Sequence, residues 1–281
     1  MLAAFLIMLR EGLEAALIVG IMAGYTARRG NSRALSSIWA GVIAAIVASA
    51  VGAWSLHRTG QEIPEHLQEG FEAAVTLVAV ALLLSMVLWM RRAGRGLKHE
   101  IEHSLDHGLD DDTGRWSWAL FLAAFLIVGR EGLESVLFLV AITQQAAGPG
   151  ILIGAVAGIA LSVLVGFAIF RFGLKVNLGR FFRVTGVFVI FVAAGLSATA
   201  LHRLHEAGVW NSLQGTAFDL SGVLPTDGLL GALLAGLFGY TATPTWGEVI
   251  VYLAVLLIAG WLFYRPLPAI TSAPQRAAPT A

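Results

Sequence analysis

Long apolar segments alternate with short polar segments along the whole chain. Since a helix crosses the hydrocarbon core of a bilayer in about 20 mostly apolar residues, each long segment predicts one membrane-spanning helix. The glycine-rich apolar stretch 228–240 is shorter, which favours a re-entrant or interfacial segment, with an eighth helix as the alternative. We therefore predict an all-α integral membrane protein with seven transmembrane helices, at residues 2–26, 35–56, 67–90, 117–143, 150–170, 181–204 and 247–264.

Composition supports a membrane protein and excludes several kinds of site. The chain is 57% hydrophobic and only 13% charged, whereas soluble domains are about 25% charged. It contains no cysteine, which excludes disulfide bonds and thiolate metal sites. We expect no organic cofactor and no nucleic-acid partner.

The positions of lysine and arginine predict the orientation in the membrane. Fourteen of these 18 residues follow the first, third, fifth and seventh predicted helices. Because cytoplasmic loops of membrane proteins are enriched in lysine and arginine, we expect the N-terminus outside and the C-terminus in the cytoplasm. The expected location is the cytoplasmic (inner) membrane. The Pro/Ala-rich tail 265–281 has little to bury and is expected to be a disordered cytoplasmic tail.

The chain contains an internal repeat. "AAFLIMLREGLEAAL" at Ala3–Leu17 and "AAFLIVGREGLESVL" at Ala123–Leu137 are identical at 11 of 15 positions. Three predicted helices separate the starts of the two copies, so the fourth helix runs opposite to the first. We predict one transmembrane domain (1–264) built as a 3+3 inverted repeat (1–90 and 117–204), with a seventh helix (247–264) outside it. Many transporters with this arrangement bind their substrate near the membrane midplane.

Each repeat carries the sequence Arg-Glu-Gly-Leu-Glu in its first helix. At about 100° per residue, the three charged side chains share one helix face. A charged side chain at the bilayer centre costs about 2.5 to 3.5 kcal/mol, so these groups should face one another or a polar cavity where the two helices meet. Gly12 and Gly132 are expected to let those two helices approach closely. The charged residues are Arg10, Glu11, Glu14, Arg130, Glu131 and Glu134.

Two interpretations of this charged cluster are open. Arginine and glutamate could simply pair and hold the helices together. However, four carboxylates and two guanidinium groups leave two negative charges unmatched when all are ionised. A cation or protons should therefore complete the site, and this interpretation is favoured. Carboxylate oxygens suit hard cations, which leaves Fe³⁺, Fe²⁺, Mn²⁺, Mg²⁺ and Ca²⁺ as candidates.

The doubled motif in the first and fourth of seven helices resembles the oxidase-dependent iron permease family, the Ftr/Efe-type permeases of fungi and bacteria. A third segment, "EGFEAAVTLVAVALLLSMVLWMRR" at Glu69–Arg92, is similar to the third helix of that family. The resemblance covers nearly the whole chain and implies import of iron, as Fe²⁺ or Fe³⁺. Arg10 and Arg130 would then balance charge or orient the ligands. The metal ligands that the resemblance implies are Glu11, Glu14, Glu131 and Glu134.

The resemblance also implies partners for the chain. These are the metal ion, the lipid bilayer and a periplasmic or extracellular protein that oxidises or delivers iron. A permease of the same fold for another divalent metal, such as manganese or lead, is the alternative function.

Other polar residues could extend an ion path. Glu69 and Glu72, at the outer end of the third predicted helix, could attract cations or simply favour a helix N-terminus. In the following loop, three histidines could receive metal at a cytoplasmic exit, although a solvated amphipathic helix is favoured there. They are His99, His103 and His107. Near the outer end of the sixth helix, ordinary loop and interface roles are favoured for His202, His205, Glu206, Asp219, Asp227 and Glu248.

Other classes of function explain less of the sequence. No Gly-x-Ser-x-Gly or His-Glu-x-x-His motif is present, which argues against an intramembrane enzyme. A scaffold subunit would not need duplicated charge at the costliest depth of the membrane. No Walker A glycine loop is present, so this chain is not expected to use ATP directly.

Overall fold

A computed structural model describes residues 1–28, 30, 32–62, 64–93, 115–145, 148, 150–172, 178–226 and 228–265. Apart from one isolated β-bridge between Thr216 and Thr245, the regular structure in these ranges is helical. This confirms the predicted all-α architecture. The helices are α1 (Leu2–Arg28), α2 (Ser32–Glu62), α3 (Glu65–Ala93), α4 (Arg115–Gln145), α5 (Gly150–Phe172), α6 (Leu178–Glu206), α7 (Leu229–Phe238) and α8 (Trp246–Tyr264).

The seven predicted segments coincide with α1 to α6 and α8, and the glycine-rich stretch forms α7. Ten residues of helix extend about 15 Å, which is about half of the hydrocarbon thickness. α7 ends at Gly239, whose backbone adopts the left-handed conformation with φ 66°. α7 is therefore too short to cross the membrane alone.

Five helices in the described ranges are long and apolar enough to span a membrane, namely α2, α3, α5, α6 and α8. α1 and α4 contain 27 and 31 residues, so their length is also sufficient. Both carry the charged motif within an otherwise apolar sequence. The motif therefore distinguishes α1 and α4 from the other long helices.

The long helices pack in pairs. α1 lies along α5, α2 along α4, and α3 along α6, while α8 packs against α6. A larger hydrophobic core around Phe138 and Leu196 joins α1, α3, α4, α5, α6 and α8. A smaller core around Ile38 joins α1, α2 and α4. Because α1 and α4 also contact each other, the two helices that carry the motif lie at the centre of the bundle.

Small residues allow two of these pairs to pack closely. On α5, Gly158 lies against the backbone of Phe5 in α1, where a side chain would collide. On α2, Gly41 lies against the backbone of Phe121 in α4 in the same way. Close packing through small residues is typical of helix pairs in membranes.

The motif glycines have different partners from the expected ones. Gly12 lies against Ser162 of α5, and Gly132 lies against Ser49 of α2. The prediction that these glycines bring α1 and α4 together is therefore wrong. The reason is the helix rotation: each glycine lies about 100° and about 160° around the axis from its two flanking glutamates, on the other side of the helix.

Candidate metal centre

The two motifs meet inside the protein, at the contact between α1 and α4. Glu11 and Glu14 are 1% and 7% exposed, and Glu131 and Glu134 are 8% and 6% exposed. A carboxylate in so enclosed a position is stable only when it is paired, protonated or bound to a cation. The burial of all four therefore has to be explained by what they bind.

Three of the carboxylates lie close enough to share one ion. Glu11, Glu14 and Glu131 each place an oxygen within 4.8 Å of the oxygens of the other two. An ion with metal–oxygen bonds of about 2.0 to 2.6 Å joins oxygens up to about 5 Å apart. Glu134 lies one helical turn from Arg130 on the same helix and accepts a hydrogen bond from it. The three glutamates thus have the spacing of a metal site, with the fourth beside them.

The two motif arginines differ in their surroundings. Arg10 is 1% exposed, and its Nε lies 3.4 Å from Glu14 Oε1. Its second carboxylate contact is longer, at 3.9 Å from Glu11 Oε1. The Arg130 side chain is 58% exposed, and its Nε donates to Glu134 Oε1 at 2.8 Å. Arg10 is therefore enclosed with the carboxylates, whereas Arg130 lies at the surface of the bundle and pairs with Glu134.

The carboxylates are poorly supplied with hydrogen-bond donors. Within the described part of the chain, no group donates a hydrogen bond to either oxygen of Glu11, to Oε2 of Glu131 or to Oε2 of Glu134. Buried polar atoms nearly always have a hydrogen-bond partner, and charged ones are costly to leave without one. These oxygens are thus available as ligands for a cation.

Comparison with known proteins identifies the family. The model of the iron permease FTR1 family matches residues 1–271. The chain belongs to this family. The resemblance that the motifs indicated is thereby confirmed.

Curated relatives agree along nearly the whole chain. The ferrous iron permease EfeU of Yersinia pestis is 46% identical over 263 residues, which cover 93% of each chain. The ferrous iron permease EfeU of Escherichia coli O157:H7 is 44% identical and covers 93% of this chain and 95% of its own length. No solved structure matches the chain. The chain is a multi-pass membrane protein of a transporter family, and the enzyme alternative is excluded.

A second charged group lies where α3 begins and α6 ends. Arg203 NH1 donates to Glu69 Oε2 at 2.8 Å, and Arg203 Nε lies 3.4 Å from Glu72 Oε2. The same guanidinium donates to Glu206 Oε2 at 3.0 Å. Three carboxylates therefore surround one arginine in this family member.

Arg203 was not a predicted site residue. The available signal was the predicted topology, which places the start of the third helix and the end of the sixth on the same side of the membrane. An arginine on that side, where basic residues are rare, could have been matched to Glu69 and Glu72. The structure thus gives the two predicted outer glutamates a partner that their own helix does not contain.

The remaining predicted candidates belong to neither charged group or lie outside the described residues. His202 Nδ1 lies 2.9 Å from Glu248 Oε1, which joins α6 to α8. Asp219 accepts hydrogen bonds from the backbone N–H and the hydroxyl of Ser221, which hold the pKa of its carboxyl below its usual value. Asp219 therefore shapes its own loop. The predicted exit residues His99, His103 and His107, and also Asp227, lie outside the described residues.

Proposed function

We propose that this chain is a permease of the cytoplasmic membrane that imports Fe²⁺ through the central carboxylate cluster. The carrying observation is the convergence of three buried carboxylates from two separate motifs, in a member of the iron permease family. The relatives are named ferrous iron permeases, which favours Fe²⁺ over Fe³⁺. The proposed ligands are Glu11, Glu14, Glu131 and Glu134, with Arg10 and Arg130 balancing charge.

Charge balance also favours a divalent ion. When all groups are ionised, four carboxylates and two guanidinium groups sum to a charge of −2, which one Fe²⁺ ion neutralises. A trivalent ion would leave an excess positive charge. Because unmatched charge inside a membrane protein costs several kcal/mol, the neutral combination is the stable one.

We infer that residues 1–90 and 117–204 form two inverted halves with the metal centre at their interface. The pairing of α1 with α5 corresponds to the pairing of α4 with α2 when the halves are exchanged. The contact of Gly12 with Ser162 corresponds in the same way to that of Gly132 with Ser49. In this arrangement α1 to α6 and α8 are the seven spans of a single permease domain, and α7 stays on one side.

The proposed ion path runs from the outside inwards. The distribution of lysine and arginine supports an external N-terminus, which places Glu69, Glu72 and Arg203 at the outer mouth. An arriving cation would compete with Arg203 for the two carboxylates and then pass to the central cluster. A periplasmic iron-delivering protein would supply the ion, and the histidines at 99, 103 and 107 remain a predicted exit site.

Uptake of radioactive iron tests the central site. Cells without other iron importers would express the parent chain, Glu14→Gln or Glu134→Gln at matched abundance in the membrane. Glutamine keeps the shape of glutamate and removes its charge, so both variants should reduce uptake to the level of cells without the permease. Asp219→Asn, which removes a carboxylate from an exposed loop, should transport like the parent.

Excess unlabelled metal in the same assay tests the substrate. Manganese, zinc and magnesium should compete poorly with iron. Strong competition by manganese would assign the site to another divalent metal. Parental uptake by both glutamine variants would refute the central ion site.

A further inference from the structure

A pocket with both polar and apolar lining residues lies beside the proposed outer mouth, away from the central cluster. Its volume is about 170 Å³, and it is formed by the end of α6, the start of α8 and the segment that joins α6 to α8. Since a water molecule occupies about 30 Å³ in the liquid, the pocket has room for a small hydrated ion. Its polar lining residues are Thr199, His202, Thr226, Tyr240, Thr241 and Glu248.

The two oxygens of Glu248 have different surroundings. Oε2 accepts the backbone N–H of Thr245 at 3.4 Å, and Glu248 N donates to Thr245 Oγ1 at 3.3 Å, which forms a capping box at the start of α8. Oε1 instead lies 2.9 Å from His202 Nδ1 at the pocket wall. The Glu248 side chain is 6% exposed. Capping thus occupies one oxygen, and the other is paired with the imidazole of His202, whose side chain is 52% exposed.

The separation of this pair suits a metal ion. Two ligands at right angles, each about 2.1 Å from a metal, are about 3.0 Å apart. His202 Nδ1 and Glu248 Oε1 are already at that separation. Water molecules that enter the pocket would supply the remaining oxygen ligands.

The other ring nitrogen of His202 also has a carboxylate nearby. Nε2 lies 3.6 Å from Oε1 of Glu206. Histidines that bind metal usually present their second N–H to a carboxylate, which fixes the tautomer and the ring orientation. Glu206 also accepts a hydrogen bond from Arg203, so the pocket adjoins the group that contains Glu69 and Glu72.

We propose that His202 and Glu248 form a second binding site, for a divalent first-row transition-metal ion, at the mouth of the permease. An imidazole beside a carboxylate suits such ions and differs from the oxygen ligands of the central cluster. With one imidazole, one carboxylate and water as its ligands, the site binds the ion loosely enough to release it. Its part in uptake rests on the proposed function, whereas ion binding in the pocket does not.

Binding of Co²⁺ to the purified full-length chain in detergent tests this site. The chain would carry no histidine tag. Glutamine would replace the central glutamates Glu14 and Glu134 and the three loop histidines, so that the group of three central carboxylates is broken up and the loop histidines are absent. In this background, equilibrium dialysis should show one bound Co²⁺ per chain. His202→Gln and Glu248→Gln should each weaken Co²⁺ binding by about tenfold or more.

His205→Gln is the matched control, because it removes a histidine from the same helix that does not line the pocket. It should leave Co²⁺ affinity unchanged. If the His202 and Glu248 pair only fastens α6 to α8, its variants will lower the melting temperature without weakening Co²⁺ binding more than the control does. That result would overturn the proposal.

Uptake kinetics separate this proposal from the central site. In an otherwise unchanged chain, His202→Gln should raise the KM for Fe²⁺ severalfold and leave the maximal rate intact. A parental KM in that variant, together with lost uptake in Glu14→Gln, would overturn only the mouth site. Retained uptake in Glu14→Gln, together with the expected loss of Co²⁺ binding, would overturn only the central site.

Discussion

Arg10 and Arg130 occupy the same position in identical motifs, yet their surroundings differ. Arg10 is 1% exposed, whereas the Arg130 side chain is 58% exposed. Each lies beside the glutamate four residues later on its own helix. The difference therefore comes from the neighbouring helices, and the two residues should respond differently to substitution.

Arg10→Met should destabilise the protein more than Arg130→Met. Removing one partner of a buried ion pair typically costs about 3 to 5 kcal/mol, because the other charge stays buried without compensation. Arg10 lies beside two buried carboxylates, whereas the Arg130 side chain is 58% exposed and pairs with Glu134. Thermal unfolding in detergent should show the larger decrease in melting temperature for Arg10→Met.

A second substitution checks the cause of that decrease. Adding Glu14→Gln to Arg10→Met should recover part of the lost stability, since it removes one uncompensated charge. Equal decreases for the two arginine variants, or no recovery, would show that the burial of Arg10 does not control stability.

At this scale, some site residues could be predicted and others could not. The burial of the four motif glutamates could be predicted, because charge in the middle of an apolar segment has to be enclosed. The contact between Arg203 and Glu69 joins residues 134 positions apart, and that between His202 and Glu248 joins residues 46 positions apart. No local spacing rule connects such pairs, so they become visible only in the folded chain.

At the scale of the helices, the length of each apolar segment was sufficient to predict where each long helix lies in the sequence. The largest difference is at the end of α2, predicted at residue 56 and found at Glu62. The helix continues beyond the apolar stretch because polar residues at a membrane surface can also be helical, and hydropathy does not mark their end. Which helices pack together was harder to predict, because many of them carry small residues.

Replacing Gly158 tests whether close packing of α1 and α5 supports the site. Gly158→Leu would place a side chain against the backbone of Phe5, and overpacking of this kind costs about 1 to 3 kcal/mol. We expect a lower melting temperature and less protein in the membrane. Gly260→Leu on α8 is the control, because the space around Gly260 is open. If both variants had the same melting temperature and the same abundance in the membrane, the α1–α5 pair would not depend on close packing at Gly158.

At the scale of the whole molecule, the repeat explains why the carboxylate cluster lies in the middle. Two helices with the same charged face can enclose it only by facing each other, and the rest of each half then surrounds them. α8 and the short α7 stand outside this arrangement and, together with the end of α6, form the pocket at one end. The enclosure of the carboxylates thus follows from the repeated sequence, whereas the pocket also needs α7, α8 and the segment before α8, which are not repeated.

The direction of transport depends on orientation, which cysteine labelling can measure on a chain without native cysteine. Val223 is 84% exposed in the loop between α6 and α7, predicted to be outside, and Ser272 belongs to the predicted cytoplasmic tail. An impermeant maleimide should label Val223→Cys in intact cells, and Ser272→Cys only after permeabilisation. The unsubstituted chain should remain unlabelled. The reverse pattern would place Glu69, Glu72 and the His202 pocket on the cytoplasmic side, where they could act only at the exit.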